Sequence, residues 1–124
     1  MTSKVLVVDD SMMIRAQVSR ALTQAGFSVV EAGDGVAALK TLENEADVCL
    51  VVCDVNMPNM NGIEFLEAVG KDASRASLPV VMLTTEGQND LVRRAKALGA
   101  KGWILKPFKP DLLIAAAKKL TAAA

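Results

Sequence analysis

The stretch Val48-Cys49-Leu50-Val51-Val52-Cys53-Asp54 is apolar at six consecutive positions and then ends on a carboxylate. A second run, from Val5 to Val8, is equally apolar and is followed by Asp9 and Asp10. Strands without polar alternation are typical of the centre of a parallel sheet, where helices cover both faces. We therefore expect these two runs to be neighbouring central strands.

Working outward from these runs, short apolar segments alternate with segments of helical periodicity along the chain. The predicted strands are residues 4–8, 28–32, 48–53, 79–83 and 102–105. This alternation is typical of an α/β fold with a parallel sheet. Because crossovers between parallel strands are right-handed, we expect a doubly wound five-stranded sheet in the order 2-1-3-4-5, as in flavodoxin-like folds.

Five helices are predicted between and after these strands. The first spans residues 11–25 and stops at Gly26, a residue that favours the position just after a helix. Asp34 and Asn61 are the expected N-terminal caps of the second and third helices, and Pro110 opens the fifth.

Length and composition limit the functional classes. The 124 residues suit a single domain over 1–124 with no fused output domain. Fourteen basic and fourteen acidic side chains cancel, so no net field favours nucleic acid or anionic lipid as a partner. The absence of histidine excludes a His-based triad, and any phosphohistidine must come from another chain. With no signal-peptide pattern and no bilayer-length apolar run, we expect a cytoplasmic monomer without membrane contact.

The sulfur-containing side chains are expected to pack in the interior. Cys49 and Cys53 share a face of one strand but are too far apart to form a disulfide, so we expect two buried free thiols. The methionines expected to pack against the core are Met12, Met13, Met57 and Met60.

The residues that terminate four of the predicted strands are polar or charged. They are Asp9 and Asp10, Asp54, Thr84 with Thr85, and Lys106. The carboxyl ends of parallel strands share one edge, and ligands bind there where the strand order reverses. Converging carboxylates raise one another's pKa, so the site calls for a hard divalent cation, and Mg²⁺ is the expected ion. Lys106 suits one oxygen of a phosphoryl group, and the Thr84 hydroxyl suits another.

Four motifs carry a resemblance to a known family. They are Val7-Val8-Asp9-Asp10-Ser11, the segment from Cys53 to Gly62, Leu83-Thr84-Thr85-Glu86 and Leu105-Lys106-Pro107-Phe108. Together they resemble receiver domains of response regulators, especially chemotaxis regulators of the CheY type. The resemblance implies a CheY-like fold and a stand-alone switch in a two-component phosphorelay. Its expected activities are self-phosphorylation and autodephosphorylation only, so it is not expected to be an enzyme in the ordinary sense.

The resemblance also implies the residues of the phosphorylation site. Asp54 would be the nucleophile that accepts a phosphoryl group from a CheA-like histidine kinase, and Lys106 and Thr84 would contact the phosphoryl oxygens. The ligands implied for Mg²⁺ are Asp9, Asp10, Asp54 and the backbone carbonyl of Asn56. The Lys106-Pro107 bond resembles the family's cis peptide.

Two further functions follow from the same resemblance. The side chains of Asn56 and Glu86 would flank the path of the hydrolytic water and set the dephosphorylation rate. Trp103 stands where the family has Tyr or Phe and would switch together with Thr84.

The output surface implied by the resemblance would be the face formed by helix 4, strand 5 and helix 5. Its expected residues are Val92, Arg93, Lys96, Lys101 and Trp103.

Alternatives stay open at this point. The output could be a flagellar motor switch, another chemosensory target, or a phosphate sink without a target. A phosphotransferase of the haloacid-dehalogenase type also uses an Asp nucleophile with Mg²⁺, but it needs a second Asp where this chain has Asn56. A degenerate receiver that only binds partners is disfavoured because every acceptor-site residue is present.

Overall fold

The computed structural model describes residues 3–75 and 77–122, and this part of the chain forms five strands that alternate with five helices. The strands are β1 (Lys4–Val8), β2 (Ser28–Ala32), β3 (Val48–Cys53), β4 (Val80–Thr84) and β5 (Gly102–Leu105). The helices are α1 (Met12–Gln24), α2 (Gly35–Asn44), α3 (Gly62–Lys71), α4 (Asn89–Ala97) and α5 (Pro110–Ala122). All strand pairs are parallel and the order is β2-β1-β3-β4-β5, which confirms the predicted doubly wound sheet.

Buried side chains form one cluster on each face of the sheet. Helices α1 and α5 cover one face, where Leu22 and Leu113 pack against the central strands. Helices α2, α3 and α4 cover the other face, where Phe65 is fully buried. From Val5 to Val8 no side chain is more than 1% exposed, because β1 has helices on both sides. The uninterrupted apolar runs of the sequence are thus explained by burial on two faces.

Capping residues begin and end the helices where the sequence predicts. The Ser11 hydroxyl accepts a hydrogen bond of 3.2 Å from the backbone at the start of α1. Asn61 and Glu64 form a reciprocal capping box at the start of α3. Gly26 follows α1 with φ 98°, a conformation that glycine adopts without strain. The predicted helix over residues 11–25 therefore includes its two capping residues.

Asp34 attaches the loop between β3 and α3 to the start of α2. Its carboxylate accepts hydrogen bonds from the Ala37 N–H at 2.8 Å and from the Asn59 side chain at 2.9 Å. These two bonds, the backbone bond first, hold the pKa of Asp34 below its ordinary value of 3.8. Asn59 itself has φ 68°, which its short polar side chain tolerates. Asn59 therefore helps to hold this loop in place, next to the helix cap predicted at Asn61.

Strand β3 departs from the prediction at Cys49, which is half-buried rather than buried. The register against β1 shifts there, because Lys4 pairs with Val48 while Val5 pairs with Leu50. The extra residue is a β-bulge, and the Cys49 thiol donates to the Lys4 carbonyl at 3.2 Å. Both cysteines are free thiols, as expected.

The prediction for the methionines is half wrong. Met57 and Met60 pack against the core on the α2–α4 face, but Met12 and Met13 are 72% and 70% exposed. The buried residues of helix α1 are Val18 and Leu22, so the helix faces the sheet through these side chains and not through its first turn. Both ends of one strand also differ from the prediction, since β4 spans Val80–Thr84 and lies one residue later than residues 79–83. No helix among residues 3–75 and 77–122 is long and apolar enough to cross a membrane.

Candidate functional site

The carboxyl ends of four strands bring the predicted site residues to one edge of the sheet. Backbone pairing continues one residue beyond β3, where the Asp54 N–H donates to the Val8 carbonyl at 2.9 Å. It continues likewise beyond β5, where the Lys106 N–H donates to the Thr84 carbonyl at 2.8 Å. Strand pairing therefore fixes the backbone positions from which these side chains extend. Three of the side chains at this edge are buried polar groups. Their exposed fractions are 3% for Asp9, 7% for Asp54 and 0% for Thr84.

Three carboxylates converge at this edge. Asp9, Asp10 and Asp54 each offer an oxygen, and these oxygens lie within 4.8 Å of one another. Asp9 and Asp54 are buried, whereas Asp10 is exposed and forms the outer side of the cluster. Hard oxygen donors at this spacing suit one divalent cation such as Mg²⁺. The donor set therefore fits the ion that the sequence predicts.

Lys106 provides the positive charge next to the carboxylates. Its Nζ lies 2.7 Å from an oxygen of Asp9 and 3.1 Å from an oxygen of Asp54. Burial opposes the charged form, but the bonds to Asp9 and the attraction of Asp54 together raise the pKa of Lys106 above its ordinary value of 10.5. The side chain is therefore an ammonium group held between two carboxylates. The bond from Lys106 to Pro107 is cis, as the resemblance implies.

Backbone amides hold the remaining carboxylate oxygens. Oδ1 of Asp9 accepts a bond from the Ser11 N–H at 2.9 Å, and Oδ1 of Asp54 accepts one from the Val55 N–H at 2.7 Å. Both carboxylates thus have defined orientations, with one oxygen on the backbone and one on the lysine. Next to Asp54, burial raises the pKa of the Cys53 thiol, with a smaller contribution from the neighbouring carboxylates. Cys53 is therefore a buried apolar side chain and not a nucleophile.

The two residues that the resemblance assigns to the hydrolytic water are in contact. The Asn56 side-chain amide donates to the Glu86 carboxylate at 2.8 Å, which joins the loop after β3 to the loop after β4. The Glu86 N–H in turn donates to the Thr84 hydroxyl at 3.2 Å. The structure thus places Asn56, Glu86 and Thr84 in one hydrogen-bonded network at the rim of the site.

Trp103 joins the same network from β5. Its indole N–H donates to the backbone carbonyl of Glu86 at 2.8 Å, and the half-buried ring packs against the core on the α2–α4 face. Sequence reasoning pairs Trp103 with Thr84 but does not predict this bond. No local pattern could have indicated it, because the bond depends on the path of a loop 17 residues away.

Sequence reasoning also missed two supporting residues. The Arg15 guanidinium donates to the backbone carbonyl of Asp9 at 2.6 Å and pairs with Glu31 at 3.2 Å, which secures the loop after β1. Gly62 lies against the backbone carbonyl of Asp54, so closely that no side chain fits between them. Gly62 directly follows the helix cap Asn61 and ends the motif that begins at Cys53. That position was the signal in the sequence that could have indicated its role.

The residues expected on the output face lie at the surface of α4 and β5. Arg93 is exposed and pairs with Asp90 on the same helix at 3.2 Å, while Lys96 and Lys101 are exposed and Val92 is partly buried. The expected face is therefore largely basic and accessible in this structure.

Comparison with known proteins agrees with the fold and the family resemblance. A family model described as the response regulator receiver domain matches residues 5–118. The chain is 39% identical over 111 residues to the chemotaxis protein CheY1 of Helicobacter pylori, covering 89% of this chain and 90% of that protein. The structure of Vibrio cholerae chemotaxis protein CheY4 superimposes with a TM-score of 0.90 at 41% identity, covering 97% of this chain and 99% of that one.

One further similar structure is a complex with ligands. It is the CheX-CheY-BeF3-Mg²⁺ complex of Borrelia burgdorferi, which matches with a TM-score of 0.88 at 28% identity. The match covers 94% of this chain and 87% of that one.

Proposed function

This chain belongs to the family of response regulator receiver domains and is of the CheY type, and from that premise we propose that it is a phospho-switch in a chemotaxis-like two-component pathway. The observation that carries the proposal is the position of the Lys106 ammonium, which lies within 3.1 Å of both Asp9 and Asp54. That arrangement places a nucleophilic carboxylate, a positive charge and a cluster of hard oxygen donors at one point of the sheet edge.

Asp54 is the phosphoacceptor in this proposal. One of its carboxylate oxygens attacks the phosphorus of a phosphohistidine on a CheA-like kinase, so an O–P bond forms as the P–N bond breaks. The leaving imidazole keeps the electron pair and takes a proton from solvent. A phosphohistidine donor must lie on another protein because the 124 residues contain no histidine.

The residues around Asp54 stabilise the transferred group. Lys106 can turn from the carboxylates to a phosphoryl oxygen, and the Thr84 hydroxyl can leave the Glu86 N–H to contact another. Mg²⁺ would be held by the carboxylates of Asp9, Asp10 and Asp54 with the carbonyl of Asn56. When bound, it supplies positive charge against the phosphoryl oxygens.

Signal termination and output complete the proposal. Hydrolysis of the aspartyl phosphate by water ends the signal, and the Asn56–Glu86 pair controls access of that water. A shift of Thr84 towards the phosphoryl group, coupled to Trp103, changes the face formed by α4, β5 and α5 for a protein target, such as a flagellar motor switch. The Borrelia relative is described with both beryllofluoride and Mg²⁺, which supports the same ligands for this chain.

Labelling from a phosphodonor tests the function. Wild-type protein incubated with radiolabelled acetyl phosphate or phosphorylated kinase and Mg²⁺ should gain acid-stable, base-labile label, and EDTA should prevent this. Asp54→Asn should gain none, because an amide is not a nucleophile at phosphorus. Asp47→Asn is the matched control, since this carboxylate lies just before β3, at the other end of the strand from Asp54. Stable labelling of Asp54→Asn would remove Asp54 from the mechanism.

A further inference from the structure

We infer that Trp103 is a positioning residue for the hydrolysis step: its indole N–H holds the loop after β4 so that the Glu86 carboxylate stays on Asn56. The inference rests on the proposed function, because it concerns the lifetime of a phosphoryl group on Asp54. It adds a residue outside the acceptor site to the control of that lifetime.

Three hydrogen bonds converge on Glu86. Its carbonyl accepts from the Trp103 indole at 2.8 Å, its N–H donates to the Thr84 hydroxyl at 3.2 Å, and its carboxylate accepts from Asn56 at 2.8 Å. The loop around it, residues 85–88, is neither helix nor strand and is mostly exposed. In the described part of the chain, no other side chain donates a hydrogen bond to the backbone of residues 85–87.

The indole is suited to this role by its rigidity. Its ring packs against the core cluster that includes Met82 and Ala95, so the N–H points from a fixed support towards the loop. An indole is a donor only, and a phenylalanine ring would fill similar space without any donor. Removing the N–H would leave the Glu86 carbonyl without this partner and free the loop to move away from Asn56.

The Asn56–Glu86 pair joins the two loops that border Asp54, so its opening exposes the approach to the phosphoryl group. Water then reaches the phosphorus more often, and the aspartyl phosphate decays faster. The effect should be the size of one neutral hydrogen bond, which corresponds to a rate change of about two- to tenfold. Phosphorylation itself should be retained, because the acceptor, the lysine and the acidic cluster are untouched.

The chain contains a single tryptophan, which permits a test at the level of one atom. Expression in a tryptophan auxotroph with β-(3-benzothienyl)alanine replaces the indole N–H by sulfur at Trp103 and nowhere else. 5-Fluorotryptophan, incorporated in the same way, keeps the N–H and is the matched control. Each protein is labelled with acetyl phosphate and Mg²⁺, and the decay of the label is followed after the donor is removed.

The benzothienyl protein should lose label about two to ten times faster than wild type, whereas the fluorotryptophan protein should match wild type. In a Glu86→Ala background the benzothienyl replacement should have no additional effect, because the carboxylate that the bond positions is gone. Equal decay of the benzothienyl and wild-type proteins would overturn the inference, and so would an undiminished acceleration in the Glu86→Ala background. Failure of the wild type to accept any label would instead overturn the proposed function.

Discussion

Gly62 is the position at which the structure makes its sharpest stability prediction. A Cβ built on this residue lies far inside van der Waals contact with the Asp54 carbonyl oxygen, 2.8 Å from the Met82 terminal methyl group and 3.0 Å from the Asp54 carbonyl carbon. The methionine can turn aside, but the Asp54 backbone is held by its bond to the Val8 carbonyl. Gly62→Ala must therefore displace either the start of α3 or the backbone of the candidate phosphoacceptor.

The expected cost is that of forcing an extra methyl group into a packed interior, about 1–3 kcal/mol of unfolding free energy. Gly70 is the matched control because it lies on the same helix. A Cβ at Gly70 meets nothing closer than the Leu98 carbonyl oxygen at 3.8 Å. Gly70→Ala should therefore stabilise the protein by about 0.4–1 kcal/mol, because alanine restricts the unfolded chain. The same substitution should thus have opposite signs at two ends of one helix.

Equilibrium unfolding in urea measures both values. Far-UV circular dichroism and the emission of Trp103 should give coincident transitions, which would validate a two-state free energy. Gly62→Ala should move the midpoint to lower urea and Gly70→Ala to higher urea, with similar slopes. A Gly62→Ala protein as stable as wild type would refute the close approach of α3 to the Asp54 backbone.

Three other predictions concern pH, exposure and the switch. Because the pKa of Asp34 is lowered in the folded state, the carboxylate contributes stability above pH 3.8, and this contribution is lost as the pH falls through the lowered pKa. The difference in unfolding free energy between wild type and Asp34→Asn should therefore be larger at pH 6 than at pH 3. Met12→Gln should change the unfolding free energy by less than about 0.5 kcal/mol, whereas Leu22→Ala on the same helix should lower it by about 2–5 kcal/mol. Equal losses of unfolding free energy in the two variants, measured in urea, would contradict the exposure of Met12. Beryllofluoride with Mg²⁺ should change the fluorescence emission of Trp103 in wild type and leave that of Asp54→Asn unaltered. If wild-type emission is the same before and after beryllofluoride binds, with binding measured independently, the result would argue against an aromatic switch.

Most of the candidate site could be predicted because its residues directly follow strands. Once the strands are known to be parallel and their order is known, Asp9, Asp54 and Lys106 must emerge at one edge of the sheet, close to one another. The structure adds what spacing could not specify. The ammonium group of Lys106 contacts both carboxylates, and backbone amides hold their other oxygens.

Other features were beyond prediction because they depend on loops or on register. The bond between Trp103 and Glu86 joins a strand to a loop, and neither residue carries a local signal for the other. The same holds for the Arg15 guanidinium, whose partner is a backbone carbonyl that every residue possesses. The bulge at Cys49 escaped notice because an apolar run looks the same with or without one extra residue.

The sequence by itself determined the fold class and the strand order and predicted that the candidate site residues share one sheet edge, because buried strands are uninterrupted apolar runs and the carboxyl ends of parallel strands lie together. Only the tertiary structure decided which side chains touch: that Met12 is solvent-exposed, that Gly62 lies against the Asp54 backbone, and that the indole of Trp103 bonds to the loop over the site. These contacts join segments that are distant in sequence. Their geometry follows from how the helices and loops pack on the sheet, and no residue type specifies such packing locally.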